Sequence, residues 1–139
     1  MKKNGFTLNE IGIVVMIIAA IAAIAIANLL RSRTERNERT AVLGLKTILA
    51  AQEKQHASTG KYATSFAELQ GTQGVDWSKD KLGYVYSLKP GAKGFELKAV
   101  PTVPGIMANR FYRVDSSGEI HYALEDKFDD ASPKVEGDR

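Results

Sequence analysis

The 139-residue chain contains no cysteine and only two histidines. Without cysteine it can form no disulfide, and it has neither a thiol nucleophile nor a thiolate metal ligand. The two histidines, His56 and His121, fall on different predicted elements, and no Gly-rich phosphate loop, metal-binding histidine pair or nucleophile motif accompanies them. We therefore expect no catalytic residue, no metal site and no cofactor, and we expect that the protein is not an enzyme.

Charge of either sign is missing from residues 11–30, which form 20 consecutive uncharged positions. As an α-helix this run would be about 30 Å long at ~1.5 Å per residue, which matches the hydrocarbon core of a bilayer. It is rich in alanine and isoleucine, and small side chains let helices approach closely in lipid or in a bundle. The run is therefore predicted to span a membrane and to be able to pack against copies of itself. The alternative is a plain anchor for a single globular domain.

The junction before this run reads Gly-Phe-Thr-Leu-Asn-Glu over residues 5–10. A secretory signal is cut after its apolar stretch, whereas the small residue suited to cleavage here, Gly5, precedes the stretch. Cleavage between Gly5 and Phe6 would remove only residues 1–5 and leave the apolar helix at the N-terminus of the product.

Glu10 is the single acid at the start of the apolar segment. A carboxylate at the centre of a membrane helix costs roughly 2.5 to 3.5 kcal/mol, and less near the interface, so Glu10 needs a partner. The α-amine of Phe6 that cleavage would free is a cation at neutral pH, and it could pair with Glu10 of the same chain or of a neighbour. The alternative is that Glu10 lies at the membrane boundary and is hydrated.

Over about the first 30 residues this arrangement resembles the leader shared by type IV pilins and the pseudopilins of type II secretion systems. The resemblance implies that a prepilin peptidase cuts after Gly5, that the same enzyme methylates Phe6, and that Glu10 pairs with the N-terminal amine of an adjacent subunit during assembly. Many pilins have a glycine at the place of Ala19 and a proline at the place of Ala27. Because this chain has neither residue, we expect a continuous helix there.

Positive charge is concentrated around the apolar run. From residue 40 onwards 13 Lys and Arg face 13 Asp and Glu, so the net charge of +3 comes from the first 39 residues. A neutral globular portion gives no indication of nucleic-acid binding, which uses clustered Lys and Arg. The four arginines after the run (Arg31, Arg33, Arg36 and Arg39) outnumber the two lysines before it, so the positive-inside rule alone would place them in the cytoplasm. The resemblance implies the opposite orientation, with a cytoplasmic N-terminus, and this is the orientation that we expect.

One long helix is predicted from about Phe6 to Thr59, or ~80 Å at 1.5 Å per residue. Its second half is amphipathic and carries an apolar face at helical spacing, made of Val42, Leu45, Ile48 and Leu49. Gly60 follows as a plausible stop.

After Gly60 the pattern changes to short elements. Residues 65–68 read Ser-Phe-Ala-Glu, the form of a capping box, which predicts a short helix ending near Gln70 and then a loop over residues 71–80. Strands are predicted over residues 82–88, 95–100, 110–115 and 119–123, and the short turns between them favour an antiparallel sheet. Aromatic residues expected in the sheet core are Tyr84, Tyr86, Phe95, Phe111, Tyr112 and Tyr122.

The predicted fold class is therefore α+β, a pilin-like ladle with a long N-terminal α-helix packed on a four-stranded antiparallel β-sheet. Five segments follow: the leader at 1–5, the transmembrane and assembly helix at 6–30, its amphipathic continuation at 31–59, the globular αβ-loop and sheet at 60–124, and a polar acidic tail at 125–139. Major pseudopilins bind calcium in a C-terminal loop. The tail acids Glu125, Asp126, Asp129 and Asp130 match no calcium-ligand spacing, so a loose solvated tail is predicted instead.

The function implied by the resemblance is a structural subunit of a type IV pilus-like filament, of the kind that serves motility, adhesion or secretion. It would be made as a single-pass precursor in a bacterial inner membrane, processed by the peptidase, and assembled into a homo-oligomeric extracellular pilus by inner-membrane assembly machinery. One alternative is a pseudopilin of a type II secretion system in a periplasmic pseudopilus. Another is a monomeric membrane-anchored ligand-binding domain that uses loop residues such as Lys79 and Lys81 near Trp77.

Overall fold

The computed structural model describes residues 5–69, 75–129 and 132–135. In these residues the chain forms one long helix followed by four strands, which confirms the predicted α+β class. The elements are α1 (Leu8–Thr59), β1 (Tyr84–Gly91), β2 (Gly94–Pro101), β3 (Phe111–Asp115) and β4 (Ile120–Ala123). The chain divides into two compact units, residues 1–33 and residues 34–139.

The first unit is helical from Leu8 onwards, and all of its described residues are exposed. The helix is unbroken at Ala19 and Ala27, as the absence of glycine and proline there predicts. Within the described part of the chain, α1 is long and apolar enough to cross a membrane, judged by its length and composition. It begins two residues later than the predicted start at Phe6.

In the second unit, the rest of α1 packs one face on the sheet. Leu45 and Ile48 of the predicted face are completely buried, whereas Val42 and Leu49 lie at the rim of the core. The centre of the buried face is shifted from the predicted one because Ala41 and Gln52 are buried in line with Leu45. The buried helical residues are Thr34, Asn37, Ala41, Leu45, Ile48, Ala51 and Gln52.

The sheet is an antiparallel meander in the order β1-β2-β3-β4. Alternate residues point towards α1, since neighbouring side chains of a strand face opposite ways. Four of the predicted aromatic core residues are buried in the main cluster: Tyr84, Tyr86, Phe95 and Tyr112. Phe111 is buried outside that cluster, and Tyr122 packs at its edge.

The strands follow the predicted order, but β1 starts later and ends later than residues 82–88. Leu82 and Gly83 form a tight turn with positive φ angles of 52° and 84°, closed by a 2.8 Å hydrogen bond from Lys81 N to Tyr84 O. At the other end, β1 extends to Gly91, which pairs with Gly94 across a two-residue hairpin turn.

The short helix predicted to end near Gln70 is wrong for the described residues. Residues 66–68 form a turn, with Glu68 N donating to Ser65 O at 3.2 Å. The Glu68 carboxylate accepts from Thr64 N at 3.1 Å, one residue earlier than a capping box requires, so it closes a single turn. Gln70 and residues 71–74 of the predicted loop lie outside the described residues.

The predicted loose tail does not hold for residues 132–135, which pair with the free edge of β4. Tyr122 N donates to Pro133 O at 2.9 Å, and Val135 N donates to Ile120 O at 2.7 Å. An edge strand leaves backbone groups unpaired, and this segment satisfies two of them. Phe128, on the way to it, lies against the guanidinium of Arg113 at 5.3 Å from the ring centre.

Candidate processing and assembly site

The start of α1 is closed by a reciprocal pair of hydrogen bonds between Thr7 and Glu10. Thr7 N donates to Glu10 Oε2 at 3.0 Å, and Glu10 N donates to Thr7 Oγ1 at 3.3 Å. Ile11 N donates to Thr7 O at 3.1 Å, the first bond of the helical ladder. This is a capping box, with Thr7 as the N-cap and Glu10 three residues later. This capping box was not predicted from the sequence, although the Thr-x-x-Glu pattern is visible at residues 7–10.

The Gly5–Phe6 bond lies just outside this capped helix. Gly5, Phe6 and Thr7 have no helical or strand conformation, and the side chain of Phe6 is 80% exposed. Apart from its chain neighbours, no described residue has an atom within 4 Å of the point where a Cβ would stand on Gly5. An exposed, non-helical peptide bond is what a protease can bind in extended form, so the geometry is suited to cleavage there.

Both hydrogen bonds of the cap join Thr7 to Glu10, and both residues would stay in the product of a cut after Gly5. An ionised carboxylate has about four acceptor positions, and among the described residues one donor, Thr7 N, bonds to the Glu10 carboxylate. Glu10 can therefore hold its own helix start and accept an ammonium group at the same time.

The surface that follows the cap is a continuous apolar exterior. From Leu8 to Leu30 the helix exposes long aliphatic side chains on every side. Monomeric water-soluble proteins rarely expose a contiguous apolar patch of more than a few hundred Å². This part of α1 is therefore suited to a lipid environment or to packing against other apolar helices. Its exposed large residues are Leu8, Ile11, Ile13, Val14, Val15, Met16, Ile17, Ile18, Ile21, Ile24, Ile26, Leu29 and Leu30.

The loop residues considered for ligand binding are already engaged. The Trp77 indole is buried and packs edge-to-face on Tyr86, with ring centres 5.2 Å apart. Lys79 Nζ lies 3.2 Å from an Asp76 carboxylate oxygen, whose pKa is lowered by hydrogen bonds from Ser78 and Lys79. Trp77 is therefore a core residue, and these contacts give no support to a binding platform around it.

The acids of the tail point to separate partners. Asp126 lies 3.3 Å from Lys98 Nζ, Glu125 lies 3.7 Å from Lys127 Nζ, and Asp129 accepts from Ser132. Asp130 lies outside the described residues. Across the described ranges, no group of three or more Asp, Glu, His or Cys residues is placed to hold a metal ion.

The two histidines contact different groups. His56 stacks on Tyr62 with ring centres 4.2 Å apart, and His121 Nδ1 lies 2.9 Å from Ser132 O.

A groove of about 600 Å³ lies in the second unit between α1 and the β3 side of the sheet. Its walls mix charges of both signs with aliphatic side chains, and one wall contains Arg110, whose guanidinium lies over the ring of Tyr122 at 4.6 Å. The lining residues are Glu35, Glu38, Arg39, Val42, Leu43, Lys46, Arg110, Tyr112 and Val135.

Comparisons of the chain with protein families, with curated proteins and with solved structures found no match.

Proposed function

We propose that the protein is a structural subunit of a type IV pilin-like filament, cleaved between Gly5 and Phe6 and assembled through the apolar half of α1. One observation carries the proposal. An accessible Gly5–Phe6 bond directly precedes a capped helix whose first turn holds Glu10 and whose following 20 residues are uncharged and exposed.

The exposed apolar helix has two environments in this proposal. Before assembly it spans the bacterial inner membrane, with the N-terminus in the cytoplasm and the second unit exported. In the filament, copies of the same helix replace lipid around one another, and the alanines at positions such as Ala19, Ala22 and Ala23 permit close approach of the backbones. The partners are a prepilin peptidase and methyltransferase, the inner-membrane assembly machinery of a pilus or a secretion system, and other copies of the chain.

Glu10 supplies the polar contact of assembly. Cleavage gives Phe6 a positively charged α-amine, which Glu10 of a neighbouring subunit accepts. Two unit charges 4 Å apart attract by about 4 kcal/mol at an effective dielectric constant of 20, which is comparable with the cost of placing a carboxylate in the membrane. The pair therefore favours a register in which each amine meets a neighbour's carboxylate.

Two substitutions separate the charge of Glu10 from its capping role. Glu10→Gln keeps a capping-box side chain but removes the charge, whereas Thr7→Ala removes the N-cap hydroxyl and keeps the charge. We expect Glu10→Gln to reduce fibres in the sheared, pelleted surface fraction at least about tenfold, because a loss of about 1.4 kcal/mol already weakens one contact tenfold and the loss recurs at every subunit. Thr7→Ala, with a cap loss of about 1 kcal/mol, should still assemble. Immunoblots should show equal monomer in the membranes of both variants.

Fibres of Glu10→Gln at the wild-type level would contradict the pairing role. The groove of the second unit favours a second candidate, a monomeric membrane-anchored binding domain. In that case Glu10→Gln would behave as wild type in every assay, and no fibres would form from either protein.

A further inference from the structure

The connection between β2 and β3 exposes apolar side chains beside the first residues of the second unit. Val103, Ile106 and Met107 of this loop and Leu82 of the adjoining turn are 40 to 64% exposed. We call these four residues the apolar patch. Leu82 belongs to it because Gly83, its neighbour, lies so close to Met107 that a Cβ there would stand 2.9 Å from Met107 Cβ.

The backbone of the loop is satisfied from within. Ile106 N and Met107 N both donate to Val103 O, at 3.2 and 3.0 Å, and Gly105 N donates to Ala108 O at 2.9 Å. These bonds hold the shape of the loop without help from a partner, so the loop can present its side chains to a less polar surface without leaving these backbone groups unpaired.

Side chains of α1 bond the carbonyl groups of the same loop. Thr34 Oγ1 donates to Ile106 O at 3.5 Å, and Asn37 Nδ2 donates to Met107 O at 2.9 Å. The loop is thereby fixed to the helix with its aliphatic side chains outward.

Leu82 adopts a left-handed backbone conformation in a tight turn. It is the one non-glycine residue with positive φ in the described ranges, and its side chain is exposed. This conformation is unfavourable for a residue with a Cβ, and asparagine is the usual choice at this position of such a turn. A leucine there gains nothing in water, but it adds apolar area to the patch.

The chain connectivity limits the distance between the end of the apolar run and the residue of α1 that bonds to the patch. Thr34, which bonds to Ile106, follows the end of the apolar run at Leu30 by four residues. Four residues reach at most about 14 Å when fully extended, whatever their direction. The headgroup layer of each leaflet is of the order of 5 to 8 Å thick. Arg33 and Arg36, which flank Thr34, are exposed cations suited to lipid phosphates.

We propose that the apolar patch docks on the lipid headgroup interface of the membrane that α1 spans, and that it holds the unassembled subunit against the bilayer. This inference rests on the membrane anchoring of the proposed function. The occupant is lipid because an internally bonded apolar loop with flanking arginines, tied within reach of the bilayer, has the chemistry of an interfacial segment.

The absence of cysteine makes the test clean, since a single introduced cysteine is a unique labelling site. We would label Ile106→Cys with an environment-sensitive fluorophore in the full chain, in nanodiscs of phosphatidylethanolamine and phosphatidylglycerol. Lipids with a nitroxide near the headgroup serve as quenchers. Ala92→Cys is the matched control, because Ala92 is also exposed, and it lies in the turn between β1 and β2. This turn adjoins Tyr62 and His56, and His56 is 22 residues from Thr34, or about 33 Å along the helix.

We expect the headgroup nitroxides to quench the label at position 106 several-fold more than the label at position 92. Val103→Cys should repeat the result. A third label at Ile21→Cys, read with nitroxides deep in the acyl chains, reports whether α1 is inserted.

Equal quenching at 106 and 92 with strong quenching at 21 would overturn the docking and leave the anchor standing. A label at 21 that deep nitroxides do not quench would overturn both. A label at 106 that is unquenched in nanodiscs but shielded from solvent in fibres would show that a second copy covers the patch, which also overturns the proposal.

Discussion

At the scale of single residues, buried polar side chains hold the second unit together at points where no strand or helix does. The Gln52 amide is completely buried, accepts from Ala63 N at 2.9 Å and donates to Ala63 O at 2.8 Å. It therefore ties the chain after α1 back onto the helix. The sequence did not predict this role, because a glutamine on an amphipathic helix is usually exposed.

Replacement of Gln52 by leucine should lower the free energy of unfolding by about 2 to 6 kcal/mol, because two buried backbone groups of Ala63 would lose their partners at about 1 to 3 kcal/mol each. Urea unfolding of the full chain in detergent, followed by tryptophan fluorescence, measures this. Glu53→Leu is the matched control on the neighbouring exposed position and should change stability by less than about 0.5 kcal/mol. Equal effects of the two substitutions would contradict a stabilising role for the hydrogen bonds between Gln52 and Ala63.

The candidate site was predictable from the sequence in part. Gly5, Phe6 and Glu10 are predicted from their order in the sequence and lie at the exposed start of α1, and their roles in processing and assembly stay predictions. The bonds between Thr7 and Glu10 were not predicted, because a helix that begins at Phe6 places Thr7 inside the helix and not at its N-cap. The apolar patch was also missed, since its members come from two separate turns that only the fold brings together.

At the scale of elements, hydrophobic periodicity predicted the helix and the strands, but it did not predict segments whose conformation depends on one or two specific hydrogen bonds. The helix and the four strands were found within one to three residues because their apolar faces repeat at fixed spacing. The turn at residues 66–68 and the pairing of residues 132–135 with β4 were not, since each depends on one or two hydrogen bonds to distant or shifted partners.

The contact between α1 and β1 depends on the absence of a side chain at Gly44. A Cβ there would stand 2.5 Å from Tyr86 Oη and 3.3 Å from Trp77 Cζ3. Tyr86 is buried and donates its hydroxyl to Ala41 O at 3.3 Å, so it has no room to retreat. The glycine therefore allows the close approach of helix and sheet.

Gly44→Ala should lower the free energy of unfolding by about 1 to 3 kcal/mol through overpacking, although alanine is the better helix former by ~1 kcal/mol. The urea midpoint of the full chain in detergent measures it. Gly12→Ala makes the same change in the same helix at a position where, apart from its chain neighbours and the helix backbone, no described atom lies within 4 Å of the added Cβ, so the midpoint should stay unchanged or rise slightly. If Gly44→Ala instead raises the urea midpoint, the Tyr86 side chain must move aside to make room for the added methyl group, which would contradict the close approach.

At the scale of the whole molecule, the two units meet different demands. The first exposes apolar side chains throughout, and the second buries a core that includes three tyrosines from the sheet. Burial raises the pKa of Tyr86 and of Tyr112 to about 12, and it raises the pKa of Tyr84 as well. Tyr84 also donates its hydroxyl to Arg110 O at 2.7 Å.

These shifts predict an alkaline limit to the stability of the second unit. An unfolded tyrosine loses its proton near pH 10, before the folded ones do, so their contribution is complete below about pH 10 and is lost as the pH rises towards 12. Urea midpoints should fall over this range, and tyrosinate absorbance at ~295 nm should rise in step with unfolding. A midpoint that stays constant up to pH 12 would contradict the burial of these hydroxyls.

Electron microscopy of sheared surface material from the native cell, combined with mass spectrometry of the N-terminus of this chain, tests filament assembly most directly. We predict fibres that contain a product beginning at a methylated Phe6. A chain that still begins at Met1, found in membranes of cells without such fibres, would contradict both the processing and the assembly and would favour the membrane-anchored binding domain.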